Sequence, residues 1–162
     1  MAVGLSFPNV APLLGSVLAK NITVKPSASA VLPPNATAVV ALYIDDQGAP
    51  VCFCAADLSL AANAGAALAL YPPQAATDCV RSTKLDPELL ENFGEVLNIC
   101  ARLFDSALGQ HVSLRSVYLG LKQMPPNEVA LFNSVSPTSK SSFDVSIAGY
   151  GGGRLSLLVA VK

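Results

Sequence analysis

Leu85–Asp105 reads LDPELLENFGEVLNICARLFD, and the way this stretch folds decides the rest. Asp86 is a good N-cap, Pro87 suits the first helical position, and Glu88 complements the positive helix start. At about 100° per residue, Leu89, Leu90, Phe93, Val96, Leu97, Cys100, Ala101, Leu103 and Phe104 share one broad face. Glu88, Glu91, Asn92, Glu95, Asn98, Arg102 and Asp105 gather on the other, with Ile99 the one apolar residue among them. The spacing predicts a long amphipathic helix. Glu95 and Asn98 stand three apart and therefore point the same way. Any chemistry the chain performs is placed on this Glu-x-x-Asn pair.

Working outward toward the N-terminus, Gln74 to Lys84 reads as polar connection, after Tyr71-Pro72-Pro73 stops a preceding helix. That helix, capped by Asp57 or Ser59 and running to about Leu70, is rich in small residues and can approach a sheet closely. Before it, Ala38–Asp45 (AVVALYID) and Ala49–Cys54 flank the turn Asp46-Gln47-Gly48, a strand hairpin. Ile22, Val24 and the segment to about Val31 read as a first strand weakened by Pro26, followed by a turn at Pro33-Pro34-Asn35. Pro8–Lys20 carries Val10, Leu13, Leu14, Val17 and Leu18 at helical spacing.

On the C-terminal side, Gly109 follows the long helix and His111–Leu121 alternates like a strand. Met124–Asn127 is a turn, and Val129–Phe132 a short strand or more loop. Asn133–Ser142, rich in serine, reads as an exposed, mobile loop. Phe143–Ala148 and Leu155–Val161 form a closing hairpin around the glycines at 149–153. Runs of strands separated from runs of helices indicate an α+β fold, a largely antiparallel sheet of about six strands with helices on one face.

With 162 residues the chain is expected to form a single domain over residues 1–162. Hydrophobic residues make up 52% and charged residues only 13%, yet the richest apolar run, Ala55–Leu70, is too short and too polar to span a bilayer. A net charge of −1 without a basic cluster argues against nucleic acid and an anionic membrane surface. The N-terminus lacks a positive n-region, and Pro8 and Pro12 interrupt it, so a cytoplasmic location is expected. Cys52, Cys54, Cys79 and Cys100 lack metal-ligand spacing and read as buried, reduced thiols.

Other motifs read as structural. The glycines at 151–153 precede a strand and lack the Lys-Ser/Thr of a phosphate loop. His111 is the one histidine of the chain and is expected to be structural or surface. Asp45 and Asp46 sit at a hairpin tip, where carboxylates form turns.

The chain resembles the CheX-type members of the CheC/CheX/FliY superfamily of bacterial chemotaxis phosphatases. The likeness covers nearly the whole length: the opening helix before ITVKPS, the hairpin VVALYID and APVCFCAADLSLAA running into a helix, the helix motif GEVLNI, and the closing pair FDVSIAG and GRLSLLVAV. The resemblance implies hydrolysis of the aspartyl phosphate of a CheY-type response regulator. Asn98 would orient the attacking water, and Glu95 would pair with the regulator's active-site lysine. The chain would need no cofactor of its own, since Mg²⁺ sits on the partner's receiver domain. Glu91, Ile99 and Arg102 would contact that partner. Two positions depart from the family pattern: Glu91 replaces an Asp or Ser, and Arg102 replaces a small residue, often glycine. They keep a second reading open, a non-catalytic interaction module on the same fold. CheX relatives also pair through their sheets, which implies a homodimer through strand edges.

Overall fold

The computed structural model describes residues 7–27 and 38–160. Helix α1 spans Val10–Leu18 and leads into strand β1 (Ile22–Ser27). The expected continuation of this strand to Val31, and the turn at residues 33–35, lie outside the described residues. Strands β2 (Val39–Ile44) and β3 (Pro50–Ala56) form the expected hairpin, whose tip is closed by Asp45 accepting from the amides of Gln47 and Ala49, both at 2.9 Å. Helix α2 (Leu58–Leu68) starts at Asp57, whose carboxylate accepts the amide of Leu60 at 2.9 Å.

Here the structure departs from the expected polar connection. Residues 73–82 are a helix, α3 (Pro73–Ser82), which packs on α2. Pro73 stands in its first turn, where a missing amide hydrogen costs nothing, so the double proline starts a helix as well as ending one. Ala76 and Cys79, three apart, are its buried residues.

Helix α4 (Pro87–Leu108) is the long amphipathic helix, capped by Asp86 at its start and by Gly109 at φ 67° at its end. Strand β4 (Ser113–Leu119) follows. The short strand or loop expected at Val129–Phe132 is instead helix α5 (Pro126–Ser134), again started by the second of two prolines. Strand β5 (Lys140–Ile147) takes in the last residues of the expected Ser-rich loop, because Lys140–Ser142 pair with Leu158–Ser156. Strand β6 (Gly152–Val159) completes the chain's final hairpin, with Gly152 and Gly153 already inside it.

Among the described residues all five strand pairings are antiparallel, in the order β1-β5-β6-β3-β2-β4. The period of two divides the central strands between two apolar layers. Val39, Ala41, Tyr43, Cys52, Cys54, Leu155 and Leu157 face the larger core, which α1, α2 and α4 cover. Val40, Leu42, Phe53, Ala55 and Leu158 face a smaller one, closed by Met124, Phe132 and Val135 from α5 and its flanks. Most helical mass thus lies on one face as expected, and α5 adds a partial second layer. No helix among the described residues is long and apolar enough to cross a membrane.

Candidate functional site

Helix α4 is held from beneath by apolar contacts and by two deliberate polar ties. Leu89, Phe93, Val96, Leu97, Cys100, Leu103 and Phe104 are all buried in the larger core. Tyr43, fully buried on β2, donates its hydroxyl to the carbonyl of Leu97 at 2.6 Å and stacks at a tilt on Phe104, ring centroids 5.1 Å apart. Burial raises the Tyr43 pKa well above its ordinary value, so the hydroxyl stays a neutral donor. This bond pins α4 to the sheet one residue before Asn98. From the side, α2 comes so close that Gly65 touches the backbone of Leu89, and Asn92 donates to the carbonyl of Gly65 at 3.2 Å.

The seven polar residues that the sequence placed on the outer face of α4 therefore divide by what the fold does with them. Asn92 is engaged sideways with α2 and is not part of the outward display the periodicity suggested. Glu88 accepts the hydroxyl of Tyr71, which keeps the Tyr71 pKa raised through that carboxylate. Asp105 accepts the amide of Val112 at 2.9 Å and so fixes the entry to β4. What remains is Glu91, Glu95, Asn98 and Arg102. All four are exposed, and none makes a hydrogen bond or ion pair among the described residues.

At spacings of three and four they form one stripe: two carboxylates, then an amide, then a guanidinium. Ile99 beside them is half-buried and belongs to neither apolar core. Arg102 also lines a groove of about 290 Å³ between α1 and α4, floored by Leu13 and Leu103. A carboxylate offers acceptors only, a guanidinium donors only, and an amide both. The stripe can thus bind a cation at one end, an anion at the other, and orient a water molecule between them.

The other motifs are accounted for structurally. His111 is exposed and pairs with Asp46 at 2.9 Å, which raises its pKa. All four cysteines are buried and free. Burial raises the Cys52 and Cys54 thiols and pushes Cys100 up to about 12. Among the described residues no group of three or more His, Cys, Asp or Glu side chains is placed to hold a metal ion.

An antiparallel six-stranded sheet backed by a long helix, among the described residues, defines the class, an α+β protein. The comparisons then specify the fold. No protein-family model matches the chain, and no curated protein matches it in sequence. The middle domain of FliM from H. pylori matches with a TM-score of 0.61 at 7% identity, over 94% of this chain and 84% of that one. FliY from Thermotoga maritima matches with a TM-score of 0.57 at 15% identity, over 97% and 85%. CheX in its complex with CheY from Borrelia burgdorferi gives 0.48 at 11% identity, over 94% of both chains. The chain has the CheC/CheX/FliY-like fold.

Proposed function

We propose that this chain accelerates hydrolysis of the aspartyl phosphate on a response-regulator receiver domain. The observation that carries the reading is that Glu95 and Asn98 stand exposed and unengaged on a helix fixed from below by Tyr43 and from the side by Gly65 and Asn92. A helix so held can enter another protein's site without rearranging, which is where positioning catalysis gains most.

In this mechanism Asn98 accepts a hydrogen bond from a water molecule with its amide oxygen, or donates one with its amide nitrogen, and sets the water in line with the phosphorus. The new O–P bond forms as the bond to the partner's aspartate breaks, releasing inorganic phosphate and the free carboxylate. Glu95 fixes the register by pairing with the receiver's active-site lysine. Mg²⁺, held by the receiver, would supply charge neutralisation at the phosphoryl oxygens. No covalent step falls on this chain, and it needs no cofactor of its own.

Glu91 and Arg102 flank the pair and contact the receiver, Arg102 through its acidic rim. Ile99 supplies an apolar contact at the same surface. The setting is the cytoplasm, where receiver domains carry their phosphoryl groups. The test is the lifetime of a phosphorylated receiver domain from the same genome, with the chain added in substoichiometric amounts. Catalytic shortening supports the reading, and an unchanged lifetime overturns it.

Arg102 also favours a second reading, an interaction module without hydrolysis, because a long cation stands where a small residue would leave room beside Asn98. H. pylori FliM, of the same fold, has been solved in complexes with FliG and with SpeE. Tight binding of a receiver domain without any change in phosphate lifetime would select this reading.

We further propose a homodimer through a strand edge. Strands β1 and β4 bound the sheet, and β1 carries Lys25 and Pro26, which discourage edge pairing. Strand β4 (SLRSVYL) carries Arg115 but no proline, so its backbone can pair along its whole length, and it is the edge proposed for a second copy. Sedimentation at micromolar concentration should give a dimer, and a monomer would contradict the proposal.

A further inference from the structure

Gly94 lies in the middle of α4, where glycine lowers helix stability relative to alanine. Among the described residues every other glycine has a reason in the fold, either a positive φ or a backbone or side-chain neighbour that a Cβ would crowd. Gly65 is the clearest, since a Cβ there would stand 2.4 Å from the carbonyl oxygen of Leu89. Gly94 has neither reason. Its backbone is helical, and a Cβ built on it meets nothing within 4 Å. The chain's own packing does not call for glycine here.

Its position relates it to the stripe. Gly94 is adjacent to Glu95, three residues after Glu91 and four before Asn98, so it borders the exposed face on the side of the amide. The missing side chain leaves bare helix backbone flush beside the Asn98 side chain, with two unpaired carboxylates alongside. We infer that Gly94 is the seat for the main chain of a receiver-domain loop, whose cation reaches Glu95 while its backbone crosses α4 at the missing Cβ. This deepens the phosphatase reading and rests on it. The occupant follows from charge and from steric access: carboxylates at positions 91 and 95 select a cationic loop, and the bare position lets main chain approach closer than any side chain allows. Gly94 is a positioning residue, acting by the distance at which it lets the partner meet Asn98.

The test separates this role from a structural one by opposite signs. Gly94→Ala should raise the melting temperature, by about 2–4 °C for a domain of this size. The same variant should weaken binding of a receiver domain from the same genome, activated with beryllofluoride and Mg²⁺, by about tenfold, because a methyl group is forced into a packed interface. Gly94→Gln should weaken it further while remaining folded. Equal binding by wild type and both variants overturns the inference and leaves the phosphatase reading standing. A lower melting temperature in Gly94→Ala also overturns it, since the fold itself would then need the glycine. Failure of the wild type to bind any receiver domain of that genome removes both the inference and the reading beneath it.

Discussion

Replacing Gly65 by alanine tests how α4 is seated. A methyl group at that position would stand 2.4 Å from the carbonyl oxygen of Leu89, 3.1 Å from its carbonyl carbon and 3.2 Å from its Cα. Ordinary contacts begin at about 3.5 Å, so the helices must part by about 1 Å. The obstacle is backbone, which cannot swing aside as a side chain could. Overpacking of this kind costs about 1–3 kcal/mol, and the upper end applies to a backbone obstacle. The Asn92 bond to the Gly65 carbonyl, already 3.2 Å long, would be stretched or lost. A net hydrogen bond is worth about 1 kcal/mol. Against this, alanine favours the helix by about 1 kcal/mol over glycine. The balance is a loss of about 2–3 kcal/mol, or roughly 5–10 °C in melting temperature. Urea unfolding followed by circular dichroism should show a lower midpoint with an unchanged slope. A Gly65→Ala protein as stable as the wild type would refute the close approach of α2 to α4, and with it the rigid presentation of the stripe.

Two further outcomes follow from the titrating groups. Cys52, Cys54 and Cys100, buried with their thiols raised, should resist a thiol reagent at pH 7.5 in the native protein and react on unfolding; fast labelling before unfolding would contradict the burial. His111 should titrate above 6.5, and Asp46→Asn should lower its pKa, as followed by its ring NMR signals. Because the folded state holds this proton more tightly, the pair's stabilisation is present below pH 6.5 and is lost as the pH rises through the folded pKa. An unchanged His111 pKa in Asp46→Asn would contradict the pairing.

The hairpin β2-β3, the long helix and the closing hairpin were legible because each carries agreeing local signals. Asp86, Pro87 and Gly109 mark both ends of α4, and its apolar period is unbroken between them. Helix α3 was hidden because Pro72-Pro73 has two meanings, and only Ala76 and Cys79 turn inward. Helix α5 was hidden because its inward face includes Glu128, a buried carboxylate that accepts the hydroxyl of Tyr118 at 2.6 Å. A charged residue at a core position erases the periodicity that would announce the helix.

The site was legible as a face but not as a selection. Polarity placed Glu88, Asn92 and Asp105 beside Glu91, Glu95, Asn98 and Arg102, and polarity alone cannot say which side chains find partners elsewhere in the fold. Tyr71, Gly65 and Val112, distant in sequence, supply those partners. Gly94 stood inside the quoted motif GEVLNI without a role of its own, because only the structure shows that a Cβ there would meet nothing within 4 Å.

The measurement that bears most directly on the account is the half-life of the aspartyl phosphate on a receiver domain bound by this chain, compared between wild type and Asn98→Ala. Binding of the beryllofluoride-activated receiver should be nearly equal for the two, since the amide is small and exposed. The wild type should shorten the half-life, and removal of the water-orienting amide should cut that acceleration by about a hundredfold or more. Equal acceleration by both proteins would show that Asn98 does not handle the water, and the chemistry assigned to the outer face of α4 would have to be abandoned.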